Sequence, residues 1–405
     1  MTELTEPATT PWNANPAHFW MHGHRMEKPV ELNEQLGGWY VTGYPEAQQV
    51  LSDPRTFKSD IKQFFPQETG SELFDELVAG DLLSMDGAHH RERRRLISHV
   101  FTPKVVADME PRIAALTHEL VDPLVDRDEF DFVTEVAYPL PVSVIAEMLG
   151  VPVSDRDLFV HWADRLFESK NVYYESDPGE DVMAAAHAAV QDFLPMLDYL
   201  KQHAAERRRT PREDLLSMLV QADVPDSEVT GFAILLLIAG HVTTTQLLGS
   251  TILCFDRYRD AAKAVRADRG LMPAAIEESL RLISPVAGVF RATTVDTELG
   301  GQPVGADQMI TVGLGAANRD PRQFTDPDTF DLTRDPNPHL GFGRGVHFCL
   351  GAPLARLEGR VALNVLLDRL GDLRTDPASP PVFHPSVEIT GARHLPVKQA
   401  HRDNS

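Results

Sequence analysis

Cys349 stands in a glycine-rich run, HLGFGRGVHFCLGAPLARLE at 339–358, where a thiol could do chemistry. Glycines 341, 343 and 345 do not make a dinucleotide loop. A G-x-G-x-x-G fingerprint would need glycine at Val346, between a strand and a helix. Zinc fits no better, because His347 and Cys349 have no second Cys/His pair at ligand spacing nearby. Beyond the cysteine, Leu350, Leu354, Leu357 and Val361 recur at helical spacing, which puts Cys349 at or just before a helix N-terminus. Helix-end N–H groups stabilise negative charge on sulfur, and the glycines let backbone and a flat ligand approach closely. A thiolate so placed is a good axial ligand for haem iron. The other cysteine, Cys254, lies in an apolar run and packs as a small hydrophobe.

A second stretch, IAGHVTTT at 238–245, interrupts the apolar run FAILLLIAGHVTTTQLLGSTIL. Glycine in a helix interior costs about 1 kcal/mol relative to alanine. His241, Thr243, Thr244 and Thr245 bring polar groups that need partners if buried. Some function must offset that disruption. A membrane-spanning helix would need roughly 20 predominantly apolar residues. Here the uninterrupted run ends at Gly240, so the spacing predicts a helix buried inside the protein.

The elements that must position these groups carry charge at helical spacing. In EESLRL, Glu278 and Arg281 fall at i, i+3 and can pair on one helix face. HHRERRR at 89–95 is the densest basic run, which by itself reads as a solvated helix face.

With Phe342, Gly343, Gly345, His347, Cys349 and Gly351 in place, the cysteine loop matches F-G-x-G-x-H-x-C-x-G, and the chain resembles the cytochrome P450 family. On that resemblance the fold is mainly α with a minor β region, a triangular helical prism around haem. Residues 1–405 are expected to form a single P450 domain, an α-rich core with small N- and C-terminal β subregions. Glu278 and Arg281 look like the family's K-helix pair, with Arg334 in FDLTR as third member of a structural network. MDGAHHRERRRLISHVFTP resembles the C-helix segment, in which His90 and Arg94 reach the haem propionates together with Arg291 and His347.

The same resemblance reads Ala239, Gly240, Thr243 and Thr244 as the oxygen-binding motif of the central helix, with small residues leaving room for O2 and Thr243 helping to deliver protons. Val242 departs from the pattern, because an acidic residue usually precedes the first threonine. AGHVTTTQLLG is in this respect similar to macrolide-tailoring members. The substrate pocket is expected to draw on the loop before the C helix, on 167–182, on 236–239 and on 286–289. Phe64, Phe65, Leu83, Tyr174, Leu236, Leu237, Val242, Val286 and Val289 are its named lining.

The implied activity is that of a haem-thiolate monooxygenase with haem b and O2, taking electrons from NAD(P)H through ferredoxin reductase and ferredoxin. It would hydroxylate or epoxidise a secondary metabolite, a polyketide macrolide in the first instance. The alternatives are a substrate carried on a carrier protein and a non-catalytic haem-binding protein.

Composition agrees with a soluble enzyme. The 405 residues are 42% hydrophobic and carry a formal net charge of -22, which disfavours nucleic acid and anionic membranes as partners. Two cysteines make no disulfide framework, which fits a reducing cytoplasm. The N-terminus lacks the apolar core of a signal peptide. A cytoplasmic monomer is the expectation.

Overall fold

The computed structural model describes residues 12–33, 37–64, 79–155, 157–162, 194–222 and 224–400. Helices dominate, and the 32-residue helix Asp226–Arg257 runs through their centre. Asp226 and Glu228 in its first turn match the positive end of its dipole. By length and composition it could cross a membrane, yet 67% of its most apolar window is buried inside the protein, as befits a core helix. Around it pack Pro139–Met148, Leu194–Arg209, Met272–Leu282 and Ala352–Arg369. One hydrophobic cluster joins residues of all five.

A smaller cluster lies against a five-stranded sheet. Val30–Asn33 and Gly38–Val41 form an antiparallel pair with Val30 opposite Val41. Gly38–Val41 then runs parallel to Met309–Val312, which pairs antiparallel with Val289–Thr293, and Phe57–Lys58 closes the edge. A second sheet has Pro396–Ala400 between Glu129–Asp131 and Asp372–Thr375. Strands thus come from the middle of the chain as well as its ends, because 289–293 and 309–312 complete the N-terminal sheet.

Two close approaches set how elements cross the long helix. A Cβ on Gly231 would lie 2.4 Å from the Gly80 backbone nitrogen, so only glycines let the loop before the C helix touch the long helix. A Cβ on Gly240 would come within 2.6 Å of Ile145 Cδ1, from Pro139–Met148. The smallness of Gly240 therefore serves helix–helix packing.

Candidate active site

The helix Ala352–Arg369 begins three residues after Cys349, with Gly351 as its N-cap and Pro353 in its first turn. Ahead of it the loop folds on itself. Gly343 N–H donates to Leu340 O at 2.8 Å, and Cys349 N–H donates to Phe342 O at 2.9 Å. Gly343 and Gly345 take left-handed conformations, φ 66° and 72°. A Cβ on Gly345 would also strike Leu51 O at 2.3 Å, so the loop is pressed against the helix Tyr44–Ser52. Burial pushes the Cys349 thiol up, and the N–H groups of Gly351 and Ala352 and the guanidiniums of Arg94 and Arg356 oppose that rise. In a site of this kind a bound cation converts the thiol to thiolate.

Cationic and donor groups converge beside this loop. The helix Gly87–Ser98 splits the basic run into faces: Arg91 and Arg95 are exposed, His90 is buried, and Arg93 pairs with Glu228 of the long helix at 2.5 Å. Arg94 is half-buried, and its Nη2 donates to Phe348 O, next to the cysteine. The rings of His90 and His347 lie 4.2 Å apart. Burial, with His347 and Arg94 adding to it, brings His90 down to about 4. Arg291 is buried on its strand, and its guanidinium feels the Asp86 carboxylate. Asp86 caps this corner: its Oδ2 accepts from Ser59 N–H at 2.8 Å and Asp60 N–H at 2.9 Å, and its Oδ1 lies 3.8 Å from His347 Nε2. Among the described residues, His90 Nε2 has no hydrogen-bond partner. A Cβ on Gly351 would meet nothing within 4 Å, and one on Gly343 only His347 O at 4.0 Å. Unspent donors beside a half-buried cysteine and an open glycine surface fit a flat, dianionic, iron-bearing ligand.

On the long helix the threonines solve their own burial. Thr243 Oγ1 donates to Ala239 O at 2.9 Å and Thr245 Oγ1 to His241 O at 2.9 Å. The His241 ring bonds to Leu237 O and meets Tyr138 edge-on at 5.3 Å, which turns it into the core. Leu235, Leu236, Ile238, Ala239, Gly240 and Thr243 stay partly accessible, and of these Leu236, Ala239, Gly240 and Thr243 form a stripe at helical spacing. Thr244 is buried, as are Leu237 (1% exposed) and Val242 (6%), so these last two face packing and not an open pocket. Of the other residues expected to line the substrate pocket, Phe64, Val286 and Val289 are half-buried and Leu83 is 57% exposed. Phe65, Tyr174 and the 167–182 segment lie outside the described residues.

The scaffold pair is fully buried: Arg281 and Glu278 are each 0% exposed and joined by bonds of 2.8 and 2.7 Å. Arg334 Nε adds a contact to Glu278 at 3.2 Å, and Asn337 Nδ2 another at 3.0 Å. Arg281 also donates to Asn318 O at 3.0 Å and Thr329 O at 2.8 Å, so the pair stitches the chain ahead of the cysteine loop to the helix Met272–Leu282. Its neighbour Glu277 was not singled out in the sequence, yet it grips the cysteine helix itself. It accepts twice from Arg356 at 2.7 Å and contacts His339 Nε2 at 3.0 Å. Burial alone would raise Glu277, but bonds from Arg356 and His339 overcome it and bring the carboxyl to about 2. The Arg356 guanidinium also lies 4.5 Å from the centre of the Phe342 ring. Arg356 falls seven residues after the cysteine, a helical spacing that could have drawn attention to it.

A helical fold built around one central helix, with a glycine-rich cysteine loop folded at a helix N-terminus and clustered donors beside it, defines a haem-thiolate protein. The chain belongs to the cytochrome P450 family, whose profile matches residues 7–383. It is 39% identical over 403 residues to the cyclomarin C epoxidase CymV of Salinispora arenicola, covering 98% of this chain and 99% of that one. It is 39% identical over 386 residues to the erythromycin C-12 hydroxylase of Saccharopolyspora erythraea, covering 93% of each. Among solved structures, HmtN, a post-tailoring hydroxylase involved in himastatin biosynthesis, superposes with a TM-score of 0.83 at 50% identity, covering 97% of this chain and 100% of that one. The protein is a P450 monooxygenase that tailors secondary metabolites, and its cofactor is haem held through a thiolate.

Proposed function

We propose that the protein hydroxylates or epoxidises a bulky, preassembled secondary metabolite, with Cys349 as axial ligand of haem b. The observation that carries the site assignment is the bond from Arg94 to Phe348 O, which joins the cationic C helix to the cysteine loop. His90, Arg94, Arg291 and His347 hold the propionates, and Phe342, Gly343 and Gly351 shape the loop against the ring. When bound, the haem activates O2, so that two electrons and two protons deliver one oxygen atom to the substrate and the other to water. The chain's part is to hold and guide. The small, exposed Ala239 would leave room for a bound haem and O2 beside the central helix, and the Thr243 hydroxyl, which donates to Ala239 O, would help to pass a proton.

Electrons arrive from NAD(P)H through ferredoxin reductase and ferredoxin. Exposed Arg91, Arg95 and Arg344 form the docking patch on an otherwise acidic protein. Phe64, Leu83, Leu236, Val286 and Val289 line the substrate side. The enzyme works as a cytoplasmic monomer, one domain over 1–405.

A macrolide substrate is supported by the likeness to the erythromycin C-12 hydroxylase and by Val242 in place of the usual acid. A second reading, a substrate like that of the himastatin pathway, is favoured by the higher identity to HmtN. Haem-loaded protein titrated with macrolides and with himastatin precursors separates them: the true class shifts the haem to high spin and, under 18O2 with ferredoxin, gains one labelled oxygen. Turnover only of carrier-protein thioesters would overturn both readings.

A further inference from the structure

Residues 12–23 form an arm that lies on the C-terminal loop at 384–390, and that loop in turn is bonded to the 285–289 segment. Asn15 Nδ2 donates to Pro385 O and, at 3.3 Å, to Ser386 O, while its Oδ1 accepts from Ala17 N–H at 2.8 Å. The buried His18 ring bonds to Val387 O at 3.2 Å and packs on Trp20, with ring centres 5.0 Å apart. Trp12 meets Phe383 at 6.4 Å. Three successive carbonyls of one loop are thus held by two side chains of the arm.

The loop passes that placement inward. Ser386 Oγ accepts from Glu388 and Ile389 N–H at 3.1 and 3.2 Å, which fixes the turn. Glu388 O then accepts from Ala287 N–H at 2.7 Å, Thr390 N–H donates to Pro285 O at 2.9 Å, and Val286 pairs antiparallel with Ile389. On its other side, His384 contacts Gln246 of the long helix at 3.1 Å, three residues after Thr243. The arm reaches the same wall a second way, since Trp20 packs so closely on Gly315 that a Cβ there would come within 2.5 Å of Cε2, and Gly315 N–H donates to Ala287 O at 3.1 Å.

We propose that Asn15 and His18 are positioning residues for substrate selection: by holding the Pro385–Ser386–Val387 carbonyls they set how far Ile389 and Val286 close over the pocket, and so which bulky molecules are admitted. The inference rests on the reading that 286–289 lines the substrate side.

Asn15→Asp is the discriminating variant, because it keeps the Oδ1 bond to Ala17 but replaces the donors to the loop with an oxygen that repels its carbonyls. Asn15→Ala and His18→Gln are milder companions. In the full-length haem-loaded protein, imidazole and clotrimazole are titrated by the shift they cause on ligating the iron; imidazole is the small reference ligand and clotrimazole the bulky one. The expected result is an intact carbon monoxide spectrum, imidazole affinity unchanged within about twofold, and clotrimazole Kd raised at least fivefold. Unchanged clotrimazole affinity, equal weakening of both azoles, or loss of haem in all three variants overturns the proposal, the last because the arm would then serve folding alone. Val289→Phe in the same assay tests the underlying reading: if it leaves clotrimazole binding unaltered while Asn15→Asp weakens it, 289 does not line the pocket and the arm acts through another wall.

Discussion

His90 and His347, 257 residues apart in sequence, place their rings 4.2 Å apart with planes inclined by 37°, and Asp86 stands beside both. Two imidazoles in contact and a buried nitrogen without a partner are unfavourable by themselves and favourable once an anion lies within reach of their ring nitrogens. His90→Phe should remove one charge-assisted bond to the propionates, worth about 2 kcal/mol, so that haem leaves roughly thirtyfold faster. Transfer of haem to apomyoglobin measures this, and an unchanged rate would take His90 off the cofactor.

Cys349→Ala should abolish the carbon monoxide spectrum of thiolate-ligated haem, while Cys254→Ala leaves it intact. Cys254 is fully buried, with its thiol pushed up to about 12 mainly by desolvation. The reverse pattern would refute the assignment of the iron ligand.

Arg281→Ala leaves the Glu278 carboxylate, 0% exposed, with Arg334 as its remaining cationic partner, beside the neutral donors Asn337 Nδ2 and Asp331 N–H. Breaking such a buried pair costs about 3 to 5 kcal/mol, enough to unfold many proteins. Arg281→Lys should recover only part of this, since one ammonium cannot replace a fork that reaches Glu278 Oε1, Oε2, Asn318 O and Thr329 O. Urea midpoints of the haem-loaded proteins test the ranking; a fully stable lysine variant would contradict it.

Glu358 is buried on the cysteine helix, and desolvation pushes its carboxyl up to about 8. The folded protein therefore keeps this proton to a pH at which the unfolded chain has lost it. Stability is unaffected below the ordinary carboxylate range and falls as pH rises from about 4.5 towards 8, by about 1.4 kcal/mol per pH unit. Glu358→Gln should abolish that dependence, so its advantage over the parent widens by about 3 kcal/mol between pH 5 and pH 7.5. A constant difference across that range in urea unfolding would show that Glu358 is ionised in the fold.

Thr243→Ala should lower product formed per NAD(P)H and release more peroxide, because the accessible stripe would lose its one hydroxyl. Val242→Glu should not raise coupling. The side chain at 242 faces packing, where a carboxylate is costly unless paired, and the variant should melt earlier. A tenfold loss of product rate corresponds to about 1.4 kcal/mol of barrier. Full coupling in Thr243→Ala, or a severalfold gain in Val242→Glu, would reverse the roles of these neighbours.

Several parts of this enzyme were legible in the chain itself. The cysteine loop and the helix starting just after it follow from glycines and apolar spacing that act over a few residues. The Glu278–Arg281 pair follows from i, i+3 geometry, and its burial could be foreseen only through family resemblance. Arg356, Glu277 and the Asn15 clamp escaped notice because each acts on a partner far away in sequence.

Local spacing states which residues share a face of a helix, not which face another element will cover. That is why Ala239 and Gly240, adjacent and both small, part company: Ile145 fills the space beside Gly240, while Ala239 stays open. It is also why Val242 is core and Thr243 accessible, and why a basic run at 89–95 divides into a buried histidine, a paired arginine and two exposed ones. Cys349 and the helix behind it were determined by the sequence alone, since their forces are short-ranged. Only the tertiary structure decided which cations meet that cysteine and which residues look across at it, because those contacts depend on how whole elements pack.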